Sequence, residues 1–353
     1  MRCPVPMRAA ASHLPEYHAP SEGRANKLRL DFNENTLGCS PRVRAALLRV
    51  SREQVAMYPE YEAIRRRLAR YFRVAPGELL LTNGADDALR LVADVFLERG
   101  ARALVIEPTF PMYAFFARLA GARVIRLGYG REMEFPLEGV CRALERGPRV
   151  LFLANPNNPT GTQAGLAELR QVLEAASRTL VVVDEAYAEF SGTSALGWIR
   201  RWPNLVVIRT FSKAAGLAGL RLGCLFAHRA LAAALRRAQP PYVVNAAALV
   251  AADAAVRDAA PMRRYVREVR RAREELRAAL AARGIRTFPS AANFLLADFG
   301  RRAPGVLLAL ARRGILLRDR RADFGRVGFV RITLGTRAQA RRLLRALDAH
   351  WAG

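Results

Sequence analysis

Short apolar runs alternate with longer amphipathic stretches between residues 79 and 227. Continuous apolar runs predict buried strands, and apolar positions spaced by three and four predict helices. The predicted strands are 79–82, 103–106, 122–127, 149–153, 179–183, 205–209 and 221–227, and the predicted helices are 86–98, 111–120, 137–146 and 165–176. Apolar strands separated by amphipathic helices are typical of a mainly parallel sheet covered on both faces. The fold class is therefore predicted to be α/β.

The two ends of the chain follow different patterns. Leu28 to Phe32 alternates like a short strand, and Ser40 followed by Pro41 predicts a helix that begins at 41 and reaches about residue 50. A second helix is predicted at 60–72, and the chain turns helical again from about Ala246. Beyond it the pattern predicts helices at 262–283, 303–313 and 337–350, with Gly284 ending the first, and strands at 285–288, 293–297, 315–318 and 328–334.

These patterns predict two domains. The large domain is expected to hold the central sheet and to comprise residues 46–255. The smaller α+β domain is expected to combine residues 1–45 with residues 256–353, because the segment before residue 46 has no place in the main sheet. Residues 1–27, which carry four prolines and no clear period, are predicted to be an irregular arm.

Composition limits the possible partners. The 353 residues carry a net charge of +26, which would suit nucleic acid, but the arginines are spread over the whole length and form no basic stripe. We therefore expect no nucleic-acid partner. No apolar run is long enough to span a membrane, and the first 20 residues lack the apolar core of a signal peptide, so a cytoplasmic protein is expected. The four cysteines, Cys3, Cys39, Cys141 and Cys224, lack metal-ligand spacing, so reduced thiols and no metal site are expected.

Only two of the 57 basic residues are lysines, Lys27 and Lys213. Arginine can replace lysine in most cationic roles, but its guanidinium does not deprotonate and cannot form a Schiff base. A lysine amine can do so once it is neutral. Lys213 is therefore a candidate nucleophile, and the alternative is a lysine without a chemical role.

Three polar segments follow predicted strands, where ligands bind in open α/β sheets. Asn83 to Asp86 opens a helix, so its backbone N–H groups could bind phosphate, or could form a plain glycine turn. The loop from Ala154 to Gly161 is stiffened by two Asn-Pro steps and presents amide side chains. Asp184 comes directly after a buried strand, where a carboxylate needs a partner such as a protonated ring nitrogen, unless it caps the following turn.

Together these segments resemble the fold type I, pyridoxal-phosphate-dependent aminotransferases, and most closely the histidinol-phosphate aminotransferase group. The resemblance extends from Leu30 to the C-terminus. The matching motifs occur in the family's order: Asp31 to Asn35, Tyr58-Pro59-Glu60, Pro108-Thr109-Phe110, Asn155 to Gly161, Asp184 to Tyr187, the Lys213 segment, and Arg331 to Thr336. Thr36, Phe110 and Cys224 depart from the residues usual in the family.

The resemblance implies pyridoxal 5′-phosphate as the cofactor and assigns expected contacts to it. Lys213 would form the Schiff base and move the substrate proton, and Asp184 would keep the ring nitrogen protonated. Asn158 and Tyr187 would donate to the ring 3′-oxygen, and Phe110 would stack on the ring. The expected phosphate cradle consists of Gly84, Ala85, Asp86, Thr210, Ser212 and Arg221. Tyr58 would reach the cofactor phosphate of a neighbouring subunit, which implies a homodimer with shared active sites.

The resemblance also implies substrates. Arg331 would bind the substrate α-carboxylate, with Asn33 near the same group. Arg318, which precedes Arg331 by 13 residues, would bind a substrate phosphate, although other arginines crowd the same stretch. Tyr17 would lie near that phosphate. The implied reaction, in histidine biosynthesis, converts histidinol phosphate and 2-oxoglutarate to imidazole acetol phosphate and glutamate.

Three alternatives stay open from the sequence. The chain could be a broad aromatic amino acid aminotransferase or a threonine-phosphate decarboxylase of the same group. It could also be a DNA-binding regulator that keeps the aminotransferase fold. Such regulators carry a winged-helix module before the fold, and because the fold's motifs here begin at Leu30, no such module is expected.

Overall fold

Two sheets organise the protein in a computed structural model, which describes residues 5–12, 14, 16 and 22–351. The strands are β1 (Leu28–Leu30), β2 (Leu79–Thr82), β3 (Arg102–Glu107), β4 (Arg123–Gly128), β5 (Val150–Ala154), β6 (Leu180–Asp184), β7 (Leu205–Thr210), β8 (Gly223–Ala227), β9 (Arg286–Thr287), β10 (Phe294–Asp298), β11 (Ile315–Asp319) and β12 (Phe329–Thr333). The mostly parallel order of the larger sheet, with helices packed on it, confirms the predicted α/β class.

The α-helices cover the sheets and connect their strands. They are α1 (Ala9–Ser12), α2 (Pro41–Leu47), α3 (Arg52–Ala56), α4 (Glu62–Phe72), α5 (Gly84–Phe96), α6 (Met112–Leu119), α7 (Leu137–Glu145), α8 (Leu166–Ala175), α9 (Ala188–Ser191), α10 (Arg229–Ala238), α11 (Ala246–Arg257), α12 (Ala260–Ala281), α13 (Ala303–Arg312), α14 (Arg321–Phe324) and α15 (Arg337–Trp351). The Ser40 hydroxyl caps α2 by accepting from Val43 N at 3.3 Å, as predicted. The arm is not wholly irregular, since α1 lies in it.

The larger sheet has the strand order β2-β8-β7-β6-β5-β3-β4. All neighbouring strands are parallel except β8, which runs antiparallel to both β2 and β7. The carboxyl ends of β2, β3, β5, β6 and β7 therefore lie at one edge of the sheet, together with the amino end of β8. This edge is where ligands bind in sheets of this kind.

Alternate residues of these strands fill two cores, one on each face of the sheet. Leu151, Val183 and Val207 pack on one face, and Phe152 and Val182 pack on the other. Both faces are apolar, which is why the strands read as continuous hydrophobic runs. Among the residues described, no helix is both long and apolar enough to cross a membrane.

The smaller sheet has the strand order β1-β11-β12-β10-β9. Its first strand comes from the N-terminal segment and pairs parallel with β11, while the other pairs are antiparallel. The N-terminal segment therefore joins the C-terminal part of the chain, which is the association that the two-domain hypothesis requires. The boundaries at residues 45/46 and 255/256 stay a prediction.

Candidate active site

A cavity of about 300 Å³ lies between the ligand-binding edge of the larger sheet and strands β11 and β12 of the smaller one. Most of the predicted site residues line it: Asn33, Ala85, Asp86, Phe110, Asn158, Asp184, Tyr187, Thr210, Ser212, Lys213, Arg221, Arg318 and Arg331. A larger cavity of about 460 Å³ lies elsewhere, beside α2 and α12, and has none of these residues in its lining. The smaller cavity is therefore the candidate active site.

Three predicted residues do not line this cavity. Gly84 lies directly behind Arg221, where a Cβ atom would be 2.5 Å from Arg221 Nη2. Tyr58 is 76% exposed and stacks on Tyr242 with the ring centroids 4.1 Å apart. Tyr17 lies outside the described residues.

Lys213 follows β7 in the loop that connects it to β8, and its amine is held inside the cavity. Its Nζ donates to the backbone carbonyl of Phe32 at 3.1 Å. Burial, together with the positive charge of Arg331, lowers the pKa of Lys213 to about 8. A smaller fraction of the amine is thus protonated near neutral pH than in an exposed lysine, which favours nucleophilic attack.

Asp184 ends strand β6 and is 5% exposed. Its Oδ2 accepts a hydrogen bond from the Tyr113 hydroxyl at 2.8 Å, and its Oδ1 accepts one from Ala186 N at 3.1 Å. Burial raises the pKa of Asp184 to about 6, against the opposing effect of these two hydrogen bonds. The hydrogen bond from Ala186 N shows that Asp184 caps the following turn. Capping the turn with one oxygen is compatible with pairing to a protonated ring nitrogen, which was the other interpretation of this residue.

The loop after β5 uses its three asparagines in two ways. Asn155 and Asn157 hold the loop: Asn155 exchanges hydrogen bonds with the backbone of Ala164, and Asn157 bonds to Thr109 at 2.6 Å and to the Pro108 carbonyl at 2.9 Å. Asn158 alone of the three lines the cavity. The expectation that the loop presents several amides to a ligand was therefore too broad.

Tyr187 faces the cavity from the segment that follows β6. Its hydroxyl oxygen accepts a hydrogen bond from Asn33 Nδ2 at 2.9 Å. Burial raises the pKa of Tyr187, so the phenol stays protonated and can donate its own proton to a ligand oxygen. Asn33 is fully buried and its amide orients Tyr187, while its predicted place near the substrate carboxylate stays a prediction.

An anion cradle lies at the start of helix α5. Arg221 donates to Asp86 at 3.0 Å and to the Ser212 hydroxyl at 3.5 Å, and Thr210 donates to Ser212 at 2.9 Å. These groups surround the first turn of a 13-residue helix, whose free N–H groups and dipole attract anions. The arrangement suits a phosphate group, and that it binds one stays a prediction.

Arginines from the smaller sheet form the other wall. Arg331 in β12 and Arg318 in β11 are directly opposite each other in the antiparallel register, so both side chains lie on the same face. Arg331 donates to the Asp31 carbonyl and to Asn158 Oδ1, and burial, with the charge of Arg320, lowers its pKa to about 10. Within the described part of the chain its buried Nε has no hydrogen-bond partner.

The lining residues that the sequence analysis did not select include Arg320 and Tyr113. Arg320, set aside there as one of a crowd of arginines, is paired with Asp323 at 2.7 Å. The two-residue alternation of a strand, which places Arg318 and Arg320 on one side, could have found it. Tyr113 lies in the first turn of α6, three residues after Phe110, and this closeness to a predicted site residue was the available signal.

The cavity combines a lysine amine of lowered pKa, a buried carboxylate, a phosphate-type cradle and an arginine wall. This donor set suits an anionic cofactor with a cationic ring and anionic substrates. Among the residues that the structure describes, no cluster of three His, Cys, Asp or Glu side chains could hold a metal ion.

Comparison with known proteins gives consistent matches. Residues 25–347 match the family model described as aminotransferase class I and II. The chain is 42% identical over 333 residues to the histidinol-phosphate aminotransferase of Symbiobacterium thermophilum, covering 93% of this chain and 91% of the relative. It is 40% identical over 334 residues to that of Roseiflexus castenholzii, covering 91% and 88%.

Solved structures with two different activities share the fold of this chain. The histidinol-phosphate aminotransferase of Sinorhizobium meliloti in complex with pyridoxal-5′-phosphate superposes with a TM-score of 0.84 at 26% identity, covering 92% of this chain and 90% of that one. The L-threonine-O-3-phosphate decarboxylase of Porphyromonas gingivalis superposes with a TM-score of 0.81 at 25% identity, covering 92% and 100%.

Proposed function

This chain belongs to the class I and II aminotransferases, and from that premise we propose that it transfers the amino group of histidinol phosphate to 2-oxoglutarate. The observation that carries the substrate choice is the pair Arg318 and Arg331, which face one cavity from opposite positions on β11 and β12. Relatives that are 34–42% identical over nine-tenths of the chain are histidinol-phosphate aminotransferases.

The cofactor of this family member is pyridoxal 5′-phosphate. When bound, it supplies an aldehyde that condenses with amines and a ring that accepts the electron pair left at the substrate carbon. We assign its phosphate to the cradle formed by Ala85, Asp86, Thr210, Ser212 and Arg221, with Gly84 giving Arg221 room. Phe110 would lie against the ring face.

The remaining cavity residues have separate tasks in this proposal. Lys213 would hold the cofactor through its aldehyde, and its free amine would carry the proton that leaves the substrate carbon. Asp184 holds the proton on the ring nitrogen. Asn158 and Tyr187 donate to the ring 3′-oxygen, and Asn33 orients Tyr187.

The arginine pair suits both substrates. Glutamate carries a carboxylate directly on its reacting carbon, whereas histidinol phosphate carries a phosphate ester one carbon further out. Arg331 lies deep, at 5% exposure, and can grip the carboxylate, while the neighbouring Arg318 can reach the phosphate. Arg320 adds a third positive charge at the same wall. Tyr17 stays a predicted phosphate contact.

A spectral screen tests this proposal. Purified holoenzyme would meet histidinol phosphate, glutamate, phenylalanine, tyrosine and phosphothreonine one at a time, and conversion of the cofactor to its amine form would rank them. Losing one charge-assisted hydrogen bond corresponds to roughly 10- to 100-fold in rate constant. Arg318→Ala should therefore slow the reaction of histidinol phosphate by about that factor and leave phenylalanine nearly unchanged.

Arg326→Ala is the matched control, because Arg326 is exposed on the same stretch, pairs with Asp298 and does not line the cavity. Equal loss in both variants, or phenylalanine turnover that exceeds that of histidinol phosphate, would favour a broad aromatic aminotransferase. Carbon dioxide release from phosphothreonine would favour the decarboxylase, an alternative supported by the structural neighbour from Porphyromonas gingivalis.

We also propose that the enzyme is a homodimer in which Tyr58 reaches the cofactor phosphate of the other subunit. Tyr58, Met57 and Val55 are each more than two-thirds exposed on one surface segment, which a second subunit would cover. Mixing Lys213→Ala with Tyr58→Ala tests this arrangement, because each variant alone should lose activity. Recovery of activity in mixed dimers is expected, since one of the two sites then has neither substitution; no recovery in confirmed mixed dimers would refute it.

A further inference from the structure

Tyr113 is the side chain that donates a hydrogen bond to the carboxylate of Asp184. It is 1% exposed, and its hydroxyl donates to Asp184 Oδ2 at 2.8 Å. Its ring stacks on Phe152 with centroids 5.7 Å apart and planes 6° apart, and meets Phe110 edge-on at 5.8 Å. Because aromatic contacts fix the ring, the hydroxyl has one position relative to the carboxylate.

The chemistry of this pair is constrained by burial. Burial and the charge of Asp184 raise the pKa of Tyr113 well above its ordinary value, so the phenol keeps its proton and stays a donor. Asp86 and Glu185 face Asp184 with like charge and disfavour its anion, as burial does. The hydrogen bonds from Tyr113 and from Ala186 N lower the pKa of Asp184 instead. Of these two donors, only Tyr113 is a side chain.

We propose that Tyr113 is a positioning residue that keeps Asp184 a weakly basic carboxylate, so that the proton shared between Asp184 and the cofactor's ring nitrogen stays on the nitrogen. The inference rests on the proposed role of Asp184. A carboxylate that accepts a hydrogen bond from a phenol is a weaker base than one that does not. Without the phenol, Asp184 would be the stronger base and would take the proton from the ring nitrogen, so that the ion pair would become a neutral pair.

The test is Tyr113→Phe, which removes one oxygen and keeps the aromatic packing. The protein would be loaded with cofactor labelled with ¹⁵N in the ring, and the ¹⁵N chemical shift reports the protonation of that atom. The wild type should show the protonated shift, and Tyr113→Phe should move toward the unprotonated value. The dissociation constant of the cofactor should rise by roughly tenfold, the effect of one hydrogen bond to a charged group.

Tyr129→Phe is the matched control, since Tyr129 is another phenol withdrawn from water, whose pKa burial raises, and it does not line the cavity. It should leave the ¹⁵N shift and the dissociation constant unchanged. If Tyr129→Phe moves both measurements as far as Tyr113→Phe does, the inference is wrong.

Asp184→Asn separates this inference from the proposed function. If Asp184→Asn leaves the ring nitrogen protonated, the assigned role of Asp184 fails, and the inference fails with it. If Asp184→Asn removes the ring proton and Tyr113→Phe does not shift it, only the inference about Tyr113 fails. In the double variant the carboxylate charge at position 184 is already gone, so removing the Tyr113 hydroxyl should add little to the loss of cofactor binding seen in Asp184→Asn alone. Additive losses in the double variant would show that Tyr113 does not act through Asp184.

Discussion

Gly84→Ala tests the anion cradle through a residue that touches no ligand directly. Gly84 has a φ of +81°, and an added Cβ would lie 2.5 Å from Arg221 Nη2 and 3.1 Å from its Cζ. The left-handed backbone costs alanine about 1–2 kcal/mol. Arg221 must also move away from Asp86, and because both side chains are more than two-fifths exposed, that ion pair is worth ~1 kcal/mol or less. The free energy of unfolding should fall by about 1–3 kcal/mol.

Cofactor binding should suffer more than folding does. Displacing the guanidinium removes a charge-assisted hydrogen bond to the phosphate, which corresponds to roughly a 10- to 100-fold rise in the cofactor's dissociation constant. Fluorescence titration of the cofactor-free protein would measure that constant, and urea unfolding of the same protein would measure stability. Both assays use one preparation, so the two losses can be compared directly.

Gly100→Ala provides the control for backbone strain. Gly100 has a φ of +89°, similar to that of Gly84, and no heavy atom lies within 4 Å of an added Cβ. The free energy of unfolding of Gly100→Ala should fall only by the conformational cost, and its affinity for the cofactor should be unchanged. If Gly84→Ala weakens cofactor binding no more than Gly100→Ala does, the proposed link between Gly84, Arg221 and the phosphate is refuted.

Further predictions concern buried groups. Burial lowers the pKa of Lys213 from 10.5 to about 8, so between these pH values the folded cofactor-free protein binds fewer protons than the unfolded chain. Its free energy of unfolding should therefore rise with pH across that window. Urea titrations should show no such rise in Lys213→Met. Arg209→Met should lower the unfolding free energy by about 3–5 kcal/mol, because it leaves Glu185, 1% exposed, without the guanidinium 2.8 Å away; a loss that does not shrink on acidification would contradict this account. Gly161→Ala, with φ +82° and an added Cβ 2.8 Å from Ser290 Cα, should destabilise by more than the about 1–2 kcal/mol of conformational strain, measured by thermal and urea unfolding against Gly100→Ala; a loss equal to that control would count against the steric argument.

The strands of the larger sheet were predictable because each is buried on both faces. Burial on both faces makes β5 and β6 apolar at nearly every position, and the runs read from the sequence match the observed strands to within two residues. Helix α10 was not predicted. It begins after His228, which is not a common helix cap, although its arginines and apolar residues form a strongly amphipathic pattern that could have predicted it. The five-residue helix α3 is too short to show a period.

The site residues that the sequence identified are those whose chemistry or local motif is unusual, such as Lys213 and Asp184. The residues it missed depend on contacts between distant segments. Tyr113 is separated from Asp184 by 71 positions, and a tyrosine in an apolar helix normally indicates core packing. The direct opposition of Arg318 and Arg331 became visible only with the register of β11 and β12.

The reversed direction of β8 has a consequence for how such an enzyme can change. The chain leaves the sheet edge at Thr210 and returns at Gly223, and Phe211 N donates to the Leu222 carbonyl at 3.0 Å, closing the base of this single span. Lys213 and Arg221 both belong to it, so an insertion between them would change the distance between the amine and the guanidinium. Arg318 and Arg331 stand on a separate sheet. Substitutions in β11 and β12 can therefore change substrate preference without altering the loop that carries Lys213.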